Sequence, residues 1–396
     1  EFRRVLFRSY LNNIANNTSR HAMAQAFINN NILTWARCRA SLSVDYIAEK
    51  FKKPVDAIIA WEEGKEPITF AQAQRYANIT KIPFGYLYLN TPPEEKLPIP
   101  DRRTVGSRNN EISVALKDTI SDVLIKQDWY KDYALSNGLP EVELVGKLPP
   151  NSNPKQIVAT IKEHIDIQIP PTKGKWKDFF SALVKKIESQ GILVMRSGVV
   201  KNNNTRPISV DDFRGFCIAD KIAPVIFINT NDAKAAQIFT LIHELAHLVL
   251  GQSAISDLSI NSREKEEMIC NAAAAEYLTP EVIFLKKWNE SLSIEENIDD
   301  LRSIFRVSSW VIVRRALNLK LISKHEYSRY VSLINEKSTS SGGDYNRNQK
   351  VRSSERLTVA VVTQALEGKM LLREAQSLTG IQPNKLYEFA QKEFGL

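Results

Sequence analysis

Cysteine is scarce: Cys38, Cys217 and Cys270 are the only three in 396 residues. They are odd in number and far apart. That spacing excludes a disulfide framework and a paired-cysteine zinc site, and it reads as reduced thiols in a cytoplasmic protein. Long apolar runs are also lacking. No stretch approaches the roughly 20 residues needed to cross a bilayer, so no membrane span is expected. The first residues lack a charged start followed by an apolar core, the mark of a signal peptide. Charge of one sign does not dominate. Lys and Arg number 53 against 45 Asp and Glu, a net charge of +8. This mild bias permits nucleic-acid binding without requiring it.

Histidine is rarer still, with five in the chain, and two of these fall in one run. The run is Phe239-Thr240-Leu241-Ile242-His243-Glu244-Leu245-Ala246-His247, an H-E-x-x-H motif. Apolar or small residues at Ala235, Ile238, Phe239, Ile242, Leu245, Ala246 and Val249 follow a helical stripe. On that helix His243 and His247 stand one turn apart and can share one metal ion. Glu244 is offset from them, as a general base that is not a ligand must be. The competing reading is a buried helix that carries two histidines by chance. The helical setting of the motif argues against it.

A chain of this length is expected to hold roughly two to four domains. Residues 1–22 carry Arg3, Arg4, Arg8 and Arg20 against Glu1 and are expected to be a non-native leader, with Met23 as the start. Residues 23–90 read as a compact all-helical unit of short helices and tight turns, with Ser43 as an N-cap. Ser43, Ile47-Ala48-Glu49-Lys50-Phe51, Val55, Ile58, Trp61-Glu62, Gly64-Lys65, Pro67, Thr69 and Gln72 make a pattern that resembles the repressor-like, or Xre-type, helix-turn-helix family. The resemblance implies DNA contact, with Lys52, Lys53 and Lys65 as candidates for phosphates. The would-be reading helix departs from it. Pro54-Val55-Asp56-Ala57-Ile58-Ile59-Ala60 has no Arg, Gln or Asn to read bases, and Asp56 repels phosphate.

Residues 91–153 are expected to form a Pro-rich linker and a helical connector, with a helix over 112–137. Helices are expected over 156–165 and 176–189. Apolar runs at 192–195, 213–219 and 224–229 read as strands, the last two as an antiparallel hairpin leading into the H-E-x-x-H helix. A small sheet packed on helices gives an α+β fold. Further helices are expected over 293–305, 308–317 and 324–334. Residues 338–396 are expected to be a Ser/Gly connector and a helical C-terminal region. Its local excess of Arg347, Lys350, Arg352 and Arg356 makes a solvated surface the first reading and accessory nucleic-acid contact the second.

A catalytic zinc takes three protein ligands and keeps one position for water. His21, His164 and His325 are not suitably placed, so the third ligand is expected to be a carboxylate on the helix that Pro280 ends. Asn261 and Glu264 form a candidate capping box for that helix. Glu264, Glu266, Glu267 and Glu276 are the carboxylates available there. Glu267 and Asn271 share one face, and the Asn271 amide could then accept the second ring N–H of a ligating histidine. Glu266 is the main rival.

Residues 224–251 (PVIFINTNDAKAAQIFTLIHELAHLVLG) and 266–280 (EEMICNAAAAEYLTP) resemble the ImmA/IrrE family of zinc metallo-endopeptidases. The order of helix-turn-helix, Pro-rich linker (PPEEKLPIPDRR) and peptidase resembles a common form of that family. The resemblance implies a zincin-like peptidase domain over 154–337 and retains Glu267 as the ligand. Cys270, Ala273, Tyr277 and Thr279 depart from its usual Ala, Phe, Leu and Met. It also implies cleavage of a DNA-binding repressor in a regulatory role. Two other readings stand beside it. One is a DNA-binding regulator or antitoxin-like partner whose peptidase fold senses or docks. The other is a zinc hydrolase acting on something other than protein.

Overall fold

The computed structural model describes residues 25–94, 113–172, 176–256, 265–335 and 352–394. The proposed leader, the candidate cap Asn261 and Glu264, and the stretch 338–345 lie outside the described residues. Two compact units divide the chain, Glu1–Lys96 and Leu97–Leu396.

The first unit is helical. Its helices are α1 (Asn30–Arg39), α2 (Val44–Phe51), α3 (Val55–Glu62) and α4 (Phe70–Thr80), followed by a 3-10 turn at Phe84–Tyr88. Caps set the boundaries. The Ser43 hydroxyl accepts the Tyr46 N–H at 3.1 Å, and Thr69 with Gln72 forms a full capping box. Lys52 closes α2 in the left-handed conformation and turns the chain into α3. Ile32, Leu33, Ala36, Ile47, Ile58, Trp61, Tyr76 and Leu87 make the core. A buried polar group lies inside it. Arg37 holds Glu62 through two hydrogen bonds of 2.7 and 2.8 Å, and the Tyr76 hydroxyl donates to the same carboxylate at 2.6 Å.

The second unit is built on a four-stranded sheet. In chain order it runs α5 (Val114–Ser136), α6 (Pro154–His164), α7 (Trp176–Ser189), β1 (Leu193–Ser197), β2 (Gly215–Ile218), β3 (Val225–Asn229), α8 (Lys234–Val249), β4 (Ala254–Ser256) and α9 (Lys265–Leu278). There follow α10 (Glu281–Lys287), α11 (Ile294–Phe305), α12 (Ser309–Asn318), α13 (Lys324–Asn335), α14 (Glu355–Leu366), α15 (Leu372–Thr379) and α16 (Leu386–Phe394). The sheet order is β1-β3-β2-β4. The expected hairpin is present: β2 and β3 are antiparallel, with Phe216 opposite Phe227. β1 pairs with β3 in parallel, and β4 adds an antiparallel strand to β2.

Both faces of this sheet are covered, so its strands read as continuous apolar runs rather than alternating ones. Val194, Cys217, Ile226 and Ile228 point into a core shared with α6, α7, α8 and α9. Leu193, Met195, Phe216, Val225 and Phe227 point the other way, into a core shared with α5 and with α14 to α16. The C-terminal helices are therefore a layer of this unit. Their apolar residues Leu357, Val361, Val362, Leu378 and Phe389 lie in the same cluster as the strands.

Candidate metal centre

Helix α8 lies at the middle of the unit and is buried on every side from Gln237 to Val249. Such a helix is not an ordinary surface helix, and polar groups on it must meet partners. His243 and Glu244 are fully buried, as is His247, and Glu267 of α9 is 2 % exposed. The alanines Ala273, Ala274 and Ala275 of α9 are buried in the same core as α8. Their small side chains let the two helices approach closely.

The three expected ligands converge. His243 Nε2 lies 3.1 Å from one Glu267 oxygen, and His247 Nε2 lies 3.1 Å from the other. The two Nε2 atoms are themselves 3.1 Å apart. Tetrahedral zinc with bonds of about 2.0–2.1 Å sets its ligand atoms about 3.3 Å apart, and one ligating atom from each of the three residues lies within 4.8 Å of the others, so the triangle of side chains is of a size to close on one ion. The donor chemistry agrees. Two imidazole nitrogens and a carboxylate are a zinc donor set, and a divalent cation between them would take a lone pair from all three. Among the described residues, this is the one group of His, Cys, Asp and Glu whose ligating atoms come together in this way.

Electrostatics favour positive charge here. Burial pushes the Glu267 carboxyl up, but His243 and His247 overcome that and hold it well below the usual carboxylate range. Burial pulls the His243 imidazole down, and the charge and contact of Glu267 more than offset it, leaving the ring above its ordinary value. Asn271 lies beside His243 and also favours its charged form. Its Oδ1 is buried short of hydrogen-bond geometry.

Glu244 stands outside the triangle. Its Oε1 would lie 3.3 Å from a β-carbon on Gly215 of β2, and such a carbon would meet Thr240 Cγ2 at 2.5 Å. Gly215 is what lets α8 lie this close to the strand. Cys217, two residues on and facing the same side, donates to the Gln252 carbonyl at 3.4 Å. Burial, and then the charge of Glu244, push its thiol well above the ordinary value. Phe239 stacks near His243 with ring centroids 6.5 Å apart, and Trp310 of α12 meets Phe239 edge-on at 5.8 Å. From sequence, Gly215 and Trp310 have no place at the site, and Cys217 is named only as a reduced thiol. The signal for the first was an isolated glycine inside an apolar strand.

The remaining candidates lie elsewhere. Glu266 is half-buried and outside the cluster, and Glu276 pairs with Arg315 of α12. His164 Nδ1 is bonded to the Thr160 carbonyl at 2.9 Å, and His325 is exposed on α13. The Tyr277 hydroxyl donates to the Ile165 carbonyl at 3.4 Å, away from the histidines. In the first unit, Lys52 and Lys53 share the turn between α2 and α3, with Lys53 over the Trp61 ring. Lys65 lies beyond α3 and pairs with Glu63 at 2.6 Å.

A mixed sheet, a central helix bearing H-E-x-x-H and a carboxylate from the next helix make a group that could hold a metal ion. Residues 187–317 match the IrrE N-terminal-like domain of the M78 peptidases, and this span holds β1 to β3, both histidines, Glu244 and Glu267. Over these residues the match suggests a metallopeptidase of the IrrE/ImmA type, a kind that is generally metal-dependent. Residues 353–392 match a domain of unknown function, DUF8813. No curated protein matches the chain. No helix among the described residues is long and apolar enough to cross a membrane.

Proposed function

We propose that the chain is a zinc-dependent regulatory endopeptidase. The observation that carries this reading is the convergence of His243, His247 and Glu267, each histidine Nε2 lying 3.1 Å from its own Glu267 oxygen, with Glu244 beside them. Zinc, when bound there, supplies Lewis acidity and lowers the pKa of water to about 7. His243 and His247 would offer Nε2, Glu267 a carboxylate oxygen, and Asn271, beside His243, would help to orient its ring. Glu244 takes the proton of the attacking water as a C–O bond forms at the scissile carbonyl. It returns that proton to the amine nitrogen as the C–N bond breaks. Gly215 and Cys217 form the floor on which the Glu244 carboxylate rests.

The substrate proposed is a DNA-binding repressor, on the strength of the ImmA/IrrE resemblance. The first unit is proposed as an Xre-type helix-turn-helix, supported by the left-handed Lys52 turn between α2 and α3. Lys52, Lys53 and Lys65 are its proposed phosphate contacts. Two buried thiols outside any disulfide, Cys217 and Cys270, suit a reducing cytoplasm.

The test is cleavage of a co-encoded repressor by the zinc-loaded chain and by Glu244→Gln. The proposal requires cleavage by the first and a loss of at least about 100-fold in the second. Equal rates would remove Glu244 from the mechanism. Zinc binding with no proteolysis of any repressor would favour a regulator whose peptidase fold senses or docks.

A further inference from the structure

The C-terminal layer contains a second helix pair joined by a tight turn. Helix α15 ends at Gly380, which is left-handed (φ 76°) and returns its N–H to the Gln376 carbonyl at 2.7 Å. A side chain there would be strained, so the turn is built for glycine. Ile381 follows, buried at 3 % exposure, and pins the turn to the core. Pro383–Lys385 then starts a helical segment that continues without a break into α16. Both α15 and α16 pack against α14. Three helices, with the last two joined by a short glycine turn, have the build of a helix-turn-helix.

The outward face of the last helix is distinctive. Leu386, Phe389 and Ala390 point inward. Asn384, Lys385, Glu388, Gln391 and Lys392 are exposed at positions that share one helical face, with Gln382 just ahead of them. Amides pair bidentately with adenine, lysine contacts guanine or phosphate, and a glutamate accepts from cytosine. Asn384 and Lys385 stand in the first turn, the part of a reading helix that meets base edges. Arg373 is exposed on α15, the helix that would cross the backbone. The first unit offers the opposite surface, since α3 exposes Asp56 and Ile59 and no amide.

We infer that the pair α15–α16 is a duplex-DNA reading surface, with α16 in the major groove. The inference is independent of the peptidase reading. Glu374 and Glu388 share this surface, so attraction to phosphate is modest and the amides carry the selectivity. Arg373, Lys385 and Lys392 supply about three phosphate contacts, for a slope of log affinity against log salt near −2.7.

The test uses the full chain with Lys52→Glu, Lys53→Glu and Lys65→Glu in place, which removes all three proposed phosphate contacts of the first unit. Its binding to a fluorescent pool of random 30-base-pair duplexes is followed by anisotropy from 50 to 200 mM salt. DNA binding is expected to persist in this background. Adding Lys385→Glu and Lys392→Glu should weaken it at least tenfold at 50 mM and flatten the salt slope by about two. Gln382→Ala with Asn384→Ala should narrow the preference between the tightest and the average duplex while keeping the slope. All of these side chains are exposed, and unchanged circular dichroism checks the fold. No binding in the starting background overturns the inference. So does binding that the Lys385 and Lys392 reversals leave intact, which would leave the α16 face to a protein partner.

Discussion

The Oε1 atom of Glu244 lies 3.3 Å from the point where a β-carbon on Gly215 would stand. The contact joins the central helix to β2 and leaves no slack. Gly215→Ala would force a methyl to within 2.5 Å of Thr240 Cγ2 and 2.9 Å of the Phe227 carbonyl. Overpacking of this kind costs about 1–3 kcal/mol. We expect a stability loss of that size in urea unfolding, and a drop in kcat larger than any rise in KM. Unaltered stability and kcat would show that the contact is not tight.

Asn271 is proposed to act through His243, which it lies beside. Groups that orient a metal-ligating histidine change metal affinity by about 10–100-fold when removed. Asn271→Ala is expected to weaken zinc binding within that range, read by competition with a chromophoric chelator. An affinity within twofold of the unaltered chain would leave Asn271 without a role at the centre.

Two buried glutamates give opposite pH dependences. Burial pushes Glu62 up, but Arg37 and Tyr76 pull it below its ordinary value. Its contribution is therefore fully present above the unfolded carboxyl pKa, about 4.3. It is lost as pH falls through the lower folded value. Hydrogen exchange in α1, α3 and α4 should accelerate in that acid range. Glu62→Ala should remove the dependence and cost about 3 kcal/mol. Exchange that follows the same pH curve in both proteins would count against the Arg37–Glu62–Tyr76 group.

Glu188, at the end of α7, behaves in the reverse sense. It accepts the Ser354 hydroxyl at 2.5 Å and the Glu355 N–H at 3.1 Å, fastening α14 to the sheet domain. Burial raises its carboxyl, and the Ser354 bond only partly offsets that. A raised carboxyl contributes stability at pH below its unfolded value and loses it as pH rises through the folded one. Glu188→Gln should flatten this fall, measured as unfolding free energy of the second unit as pH is raised from the unfolded carboxyl value of about 4.3. A steeper fall in the variant would reverse the assignment.

The parts of this structure that were legible in sequence share a local cause. The H-E-x-x-H helix, the 213–229 hairpin and the Ser43 cap depend on spacing within a few residues, and spacing is what a sequence displays. Glu267 over Glu266 was narrowed by one turn of helix, since only one of two adjacent residues can face α8. β4 escaped notice because three residues, Ala254 to Ser256, carry no pattern of their own. The C-terminal region was readable as helical. Nothing local says that its apolar face meets Met195 and Phe227, more than a hundred residues earlier. The Gly215–Glu244 approach is likewise a long-range fact.

The central claim is that His243, His247 and Glu267 hold one metal ion that Glu244 does not ligate. Zinc titration of the metal-stripped full chain, followed by calorimetry, tests it most directly. The account predicts one site per chain, kept in Glu244→Gln and lost in both His243→Ala and Glu267→Ala. A full site remaining in Glu267→Ala, or a site that vanishes in Glu244→Gln, would contradict it.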